Sequence, residues 1–157
     1  MIRLSFFTGS IKEWQQLNQY QLQDSTYTSQ PLDVQARVAA DPDRRLVLIW
    51  HEHQVVGVFC LHQVAGPCQY GGNQRTDLLI RALSIDDRYR GHHYALDAMR
   101  ALPAVVHHAY PQVQRLILAV NHANYPAQQL YQKAQFQDTG HRTMGILGWQ
   151  YVLAKKI

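Results

Sequence analysis

The sequence has few of the features that mark secreted, membrane or metal-binding proteins. Its 157 residues include only two cysteines, Cys60 and Cys68, whose spacing matches neither a CxxC redox pair nor a zinc framework. The longest apolar runs, such as residues 46–50, are too short to cross a bilayer, and no basic segment with an apolar core opens the chain. We therefore expect a reduced, cytoplasmic protein that has no membrane partner.

The chain also lacks a concentrated block of charge. Fifteen Lys and Arg residues against eleven Asp and Glu residues give a net charge of +4, which favours a polyanionic ligand. The basic residues are scattered and form no stripe, so we do not expect nucleic-acid binding. Nine histidines suggest a metal site, but neither His51-Glu52-His53 nor His107-His108 has a third ligand at a diagnostic spacing, and we expect no metal.

Length and hydrophobic patterning predict one α/β domain over residues 1–157. A chain of this length can bury a core by itself, and 46% of its residues are hydrophobic. Ser10 and Glu13 have the spacing of a capping box that begins a helix, and Pro31 suits the start of a second. The pattern further predicts strands over residues 2–6, 46–51, 55–64, 78–85, 113–120, 136–142 and 148–154, helices over 92–108 and 124–134, and a loop over 66–75.

The stretch from Arg81 to Met99 predicts an anion site. It consists of a buried strand, a short polar turn that contains Gly91, and the first turns of a helix. The first backbone N–H groups of a helix have no partner within it, and the helix dipole adds partial positive charge there. A phosphate group fits such a position.

Two segments resemble the GNAT superfamily of acetyl-CoA-dependent N-acetyltransferases. Residues 90–95, Arg-Gly-His-His-Tyr-Ala, are similar to the Arg/Gln-x-x-Gly-x-Gly/Ala pyrophosphate loop of that superfamily. Residues 124–136 are similar to its Asn-x-x-Ala-x-x-Leu-Tyr-x-Lys-x-Gly-Phe segment. The two segments occur in the expected order, about one βαβ unit apart. The resemblance implies a mixed central sheet of about seven strands, splayed in the middle and flanked by about four helices.

The same resemblance implies how acetyl-CoA is bound. The pantetheine arm would lie between the strands 78–85 and 113–120, pairing with the main chain of the segment Leu83, Ser84 and Ile85. The pyrophosphate would lie on the loop formed by Arg90, Gly91, His92, His93, Tyr94 and Ala95. Asn124 would bind the pantetheine or cap the helix that follows it. His93 stands where the superfamily has glycine, so either the loop is opened slightly or the imidazole contacts the phosphate.

For catalysis, the resemblance implies that Tyr131 is the general acid for the departing thiolate and that the Leu83 N–H is an oxyanion donor. The general base departs from the superfamily pattern, because Leu79, which cannot accept a proton, occupies the position where many members have glutamate. Asp77 lies two residues earlier on the same strand face and is our candidate base. The hairpin histidines His51, His53 and His62 are alternatives.

Few residues of the sequence bear on the identity of the acceptor. Tyr20 and Tyr27 are candidate substrate contacts or core residues, and Arg81 would either meet an acidic group on the acceptor or lie at the surface. Residues 120–148 most resemble small bacterial members that act on free amines, so we expect a small-molecule primary amine, polyamine or amino-acid-like. Alternatives are a protein N-terminal acetyltransferase, a non-catalytic acyl-CoA binder or sensor and, last, a nucleic-acid-binding module. A closing strand at the sheet edge would suit a homodimer, but no residue requires one.

Overall fold

A computed structural model describes all 157 residues as a seven-stranded mixed sheet with helices on both faces. The strands are β1 (Ile2–Phe6), β2 (Arg44–His51), β3 (Gln54–His62), β4 (Asp77–Ile85), β5 (Arg115–Asn121), β6 (Gln137–Gly145) and β7 (Gly148–Lys156). The helices are α1 (Ile11–Gln19), α2 (Pro31–Ala40), α3 (Ala65–Cys68), α4 (Tyr94–Ala109) and α5 (Tyr125–Lys133), with a 3-10 turn at Asp87–Tyr89. None of the helices combines the length and the hydropathy that a membrane span needs.

The two central strands separate after a short stretch of pairing. The strand order is β1-β2-β3-β4-β5-β7-β6, and every neighbouring pair is antiparallel except β4 and β5. The parallel pair is in register only from Asp77 opposite Arg115 to Leu79 opposite Ile117. Beyond Leu79 the two strands diverge, which confirms the predicted sheet with a splay at its centre.

A β-bulge bends β4 at the start of the splay. Between the pairs Val58–Ser84 and Cys60–Arg81, β4 contains one residue more than β3. Ala82 adopts a φ of 55° there, a left-handed conformation that is uncommon for a residue with a Cβ. Bulges of this kind bend a strand and re-aim its side chains. The bulge thus contributes to the separation of β4 from β5.

The core has a layer on each side of the sheet. On one side, α4 and α5 pack through residues such as Met99, Leu102 and Tyr131. On the other side, Leu17 of α1 and Val34 of α2 pack against β2 and β3. This arrangement leaves the open end of the splay at the surface between the two layers.

Local sequence signals account for most element boundaries. Ser10 and Glu13 form the predicted capping box, and Pro31 is the first residue of α2. Asn124 caps α5 through its side chain, which accepts a hydrogen bond from the Ala127 N–H. One expectation needs correction: the segment 66–75 is only partly a loop, because the four-residue helix α3 begins at Ala65 and joins the four predicted helices.

A buried carboxylate fastens the loop after α1 to the end of β4. The carboxylate of Asp86 is fully buried and accepts hydrogen bonds from the Gln21 N–H, from the Arg88 N–H and from the Arg88 guanidinium. Burial alone would raise the pKa of Asp86, but the hydrogen bonds from Arg88 and Gln21 outweigh it and hold the pKa below its usual value. Asp87 reinforces the link by accepting from the Gln23 N–H at 2.7 Å.

We predict that Asp86→Asn lowers the free energy of unfolding by about 2 kcal/mol at neutral pH, because a charged acceptor of several hydrogen bonds is lost. The folded-state pKa is depressed, so the stabilisation is present above the unfolded-state pKa of about 4 and is lost as pH falls through the folded-state value. Urea unfolding from neutral to acidic pH should therefore show the free energies of unfolding of the parent and the variant converging.

Asp138→Asn is the matched control, since the Asp138–Arg142 pair is exposed and should contribute little. A gap between parent and Asp86→Asn that persists at acidic pH would contradict this account.

Candidate active site

The splay opens into a cleft of about 720 Å³ at the surface. Its walls come from segments that are distant in sequence. They are the end of β4 (residues 80–85), the loop and first turn of α4 (89–96), the end of β5 (119–121), α5 with its cap, the loop 22–28 and Gln150 of β7. The two segments that carry the family resemblance therefore line one cavity.

The main chain of β4 presents free hydrogen-bonding groups to this cleft. The Asp86 N–H donates to the Val56 carbonyl on β3 at 2.8 Å. Because N–H groups alternate between the two edges of a strand, the N–H groups of Leu83 and Ile85 point to the opposite edge, where β5 has separated. Ser84 differs: its N–H faces β3, and its hydroxyl is bonded to the Tyr20 hydroxyl at 2.8 Å.

The loop before α4 has a backbone suited to binding an anion. Gly91 has a φ of 82°, and His93 caps α4 in the left-handed region at φ 62° and ψ 21°. The His93 side chain does not bond the first N–H groups of α4, so these donors are left for a ligand. Arg90 lines the same wall, and its Nε donates to Asp87 Oδ1 at 3.1 Å. The histidine in the glycine position is thus accommodated by the backbone conformation itself.

Tyr131 lies at the inner wall of the cleft. Only 8% of the residue is exposed, and its ring packs edge-on against Phe136 at a centroid distance of 5.7 Å. Burial raises the pKa of the phenol well above its usual value. Tyr131 therefore remains protonated throughout the neutral and mildly alkaline range and is available as a proton donor.

The structure contradicts the expectation that Asp77 lies in the cleft. Asp77 is at the paired end of β4, only 4% exposed, and accepts two hydrogen bonds from the Arg115 guanidinium at 2.8 and 3.0 Å. A carboxylate held in such a bidentate ion pair, beyond the splay, cannot reach an acceptor bound at the open end. Asp77 is thus a structural partner of Arg115.

The alternative bases also lie outside the cleft wall. His51 stacks on Tyr94 at a centroid distance of 5.0 Å, and His53 is in the turn between β2 and β3. His62 is 2% exposed and faces Arg81. The only carboxylate that lines the cleft is Asp24, whose pKa is lowered chiefly by hydrogen bonds from Thr26. Apart from Asp24, the candidate bases of the cleft wall are the imidazoles of His92 and His93, which belong to the loop before α4.

Several residues of the cleft wall were not identified from the sequence. Asn121 is the last residue of β5, Gln150 lies opposite it on β7, and Thr28 comes from the loop before α2. Asn121 had a recognisable signal, because polar residues at the carboxyl ends of central strands often line sites. Of the two tyrosines that the sequence suggested as substrate contacts, Tyr27 lines the cleft. Tyr20 does not line it, but its hydroxyl is hydrogen-bonded to that of Ser84, which does.

Comparison with known proteins agrees with this geometry. Residues 10–136 match the model of the acetyltransferase (GNAT) family. The uncharacterised N-acetyltransferase YbbJ of Bacillus subtilis (strain 168) is 38% identical over 130 residues, which is 83% of this chain and 81% of that protein. No group of three His, Cys, Asp or Glu residues is arranged to hold a metal ion.

Solved structures share the whole fold at low sequence identity. The structure of AAC(6')-Ib in complex with ribostamycin and coenzyme A has a TM-score of 0.77 at 15% identity and covers 99% of this chain and 93% of that one. N-acetyltransferase PseH of Campylobacter jejuni, in complex with acetyl coenzyme A, has a TM-score of 0.64 at 15% identity and covers 99% of both chains. From the family match and the close relative together, the chain belongs to the acetyltransferase (GNAT) family and is an acetyl-CoA-dependent N-acetyltransferase.

Proposed function

We propose that this protein transfers the acetyl group of acetyl-CoA to the primary amine of a small molecule by direct attack in the cleft. The observation that carries the proposal is the splay itself. It places the free N–H groups of β4, the N-terminus of α4 and the Tyr131 phenol around one cavity. Each of these groups has a distinct task in acyl transfer.

The chain's own residues fit the cosubstrate, which supplies an acetyl group activated as a thioester. The N–H groups of Leu83 and Ile85 donate to the pantetheine arm, which lies along β4 like an added strand. Gly91 to Ala95 direct their N–H groups at the pyrophosphate, with Arg90 nearby. Asn124 has its side chain engaged as the cap of α5, so it contributes to the site mainly by fixing that helix.

Two groups act on the reacting atoms. The Leu83 N–H stabilises the negative charge that develops on the thioester carbonyl oxygen, in a position where no protein acceptor competes for it. Tyr131 donates its proton to the sulfur as the thiolate departs, and burial keeps that proton in place until then. The amine attacks in its neutral form, having lost its proton to solvent, because the one carboxylate of the cleft wall, Asp24, has a lowered pKa and is a weak base. The proton that the nitrogen releases as the amide forms passes to solvent, from which the Tyr131 phenolate regains its own.

The size of the cleft and the segments that bound it favour a small acceptor. Its walls come from the loop 22–28 and from β7, as well as from the cofactor-binding segments. Among the related structures, AAC(6')-Ib is seen with ribostamycin, a small molecule, beside coenzyme A. Acetylation of a peptide N-terminus in preference to free amines would indicate a protein acceptor, and binding of coenzyme A without turnover of any amine would indicate a non-catalytic binder.

We predict that Tyr131→Phe lowers kcat by at least about a hundredfold, because a general acid is lost. The affinity for coenzyme A, measured by thermal shift, should be unchanged because the ring and its packing on Phe136 remain. Tyr125→Phe on the same helix is the control, since Tyr125 is 67% exposed and should retain full activity. Full activity in Tyr131→Phe would remove Tyr131 from the mechanism.

We predict that His93→Gly leaves the affinity for coenzyme A unchanged or improves it, because glycine adopts the left-handed φ of this position without strain. The reverse change, Gly91→Ala, should lower affinity or stability by about 1 kcal/mol, because alanine is strained at a φ of 82°. Isothermal titration with coenzyme A measures both. A tenfold or larger loss in His93→Gly would show instead that the imidazole binds the phosphate.

We predict that kcat/KM rises with pH until the pKa of the acceptor amine and shows no fall below about pH 10. The rise follows from attack by the free amine without a protein base. The absence of a fall follows from the raised pKa of Tyr131, which keeps the phenol protonated. Profiles for two amines of different pKa should shift with the amine, whereas a fixed rise near neutral pH would indicate a side-chain base.

A further inference from the structure

Arg81 is a half-buried cation in the cleft that has no carboxylate partner. It lies on β4, on the cleft wall, two residues before Leu83. None of the protein's ion pairs involves Arg81. Burial lowers the pKa of its guanidinium, Tyr70 and Cys60 act in the opposite direction, and the positive charges of Arg44 and Arg37 lower the pKa further. A desolvated cation beside other cations is unfavourable unless an anion joins it.

The guanidinium is held along one edge and free along the other. Its Nη1 donates to His62 Nδ1 and to Gln69 Oε1, each at 3.2 Å. Its Nε and Nη2 donate to no protein acceptor. These two groups form the edge of a guanidinium that matches the two oxygens of a carboxylate.

His62 fixes the orientation of that edge. It is 2% exposed, and Gly66 packs so closely on it that a Cβ at that position would approach within 2.6 Å of His62 Cγ. Burial, and then the charges of Arg44 and Arg81, lower the pKa of His62, so that the imidazole stays neutral and can accept from Arg81. Its remaining ring nitrogen, Nε2, faces Asp41 Oδ2 at 3.5 Å. The arginine is thus positioned before any ligand arrives.

We infer that Arg81 binds a carboxylate of the acceptor, so that the substrate is an amine that also bears a carboxylate, such as an amino acid, rather than a polyamine. This inference rests on the proposed function and specifies its acceptor. The acceptor amine would then attack beside Leu83, whose Cα lies at most about 7 Å along the strand from that of Arg81. An amino acid has the dimensions to bridge the two.

The inference is tested with pairs of amines that differ only in the carboxylate, namely lysine against cadaverine and ornithine against putrescine. We expect the parent protein to prefer the carboxylated member of each pair in kcat/KM by about ten- to a hundredfold, the range for a charge-assisted hydrogen-bonded pair. Arg81→Gln should remove that preference, chiefly by lowering kcat/KM for the carboxylated members. Arg81→Lys should restore only part of it, because an ammonium lacks the bidentate edge.

Arg75→Gln is the matched control, since Arg75 is exposed and lies outside the cleft. Thermal shift and titration with lysine in the presence of coenzyme A provide a readout that does not depend on turnover. If lysine binds the parent and not Arg81→Gln, but no amine is acetylated, the carboxylate site stands and the proposed function fails. If amines are acetylated without preference for the carboxylate, or if Arg81→Gln weakens both members of a pair equally, the inference is overturned while the proposed function stands.

Discussion

The separation of β4 from β5 is the feature on which the rest of the site depends. Two parallel strands would normally pair along their length, because unpaired main-chain groups are unfavourable when buried. Here they pair over three residues only. Each strand stays fixed by its other neighbour, β4 by β3 and β5 by β7. Strand pairing therefore holds both sides of the gap in place, and the N–H groups of Leu83 and Ile85 point into it.

The splay is bordered by a second structural device, the docking of the loop after α1. Asp86 and Asp87 directly follow β4, and both accept hydrogen bonds from the main chain of residues 21–23. The same loop continues into Tyr27 and Thr28, which line the cleft. One network thus joins the wall that would receive the acceptor to the turn that leads into the pyrophosphate loop. The hydrogen bonds that form this network also lower the pKa of Asp86.

Two of the five non-glycine residues with a positive φ line the cleft. Ala82 and His93 both have positive φ values, and one forms the bulge of β4 while the other caps α4. Neither is glycine, so each conformation costs some stability and persists because its surroundings determine it. Ala82 diverts the strand and His93 turns the chain into α4, so both strained residues shape the wall of the cleft. The His93 side chain leaves the first N–H groups of α4 unbonded, although it occupies a position that favours glycine.

The sequence by itself determined the elements whose causes are local. The capping box of Ser10 and Glu13, the cap at Asn124 and the strand–turn–helix before α4 depend on residues within a few positions of one another, and they formed as predicted. The resemblance of residues 90–95 and 124–136 correctly implied the fold and the family. Only the tertiary structure decided the surroundings of Asp77 and Arg81. Arg115 is 38 positions from Asp77, and His62 is 19 positions from Arg81, and partners at such distances meet only when the sheet assembles. The sequence shows two charged residues on one strand and does not indicate which of them is paired. In the fold, Arg115 neutralises Asp77, whereas Arg81 has no carboxylate partner and lies on the cleft wall.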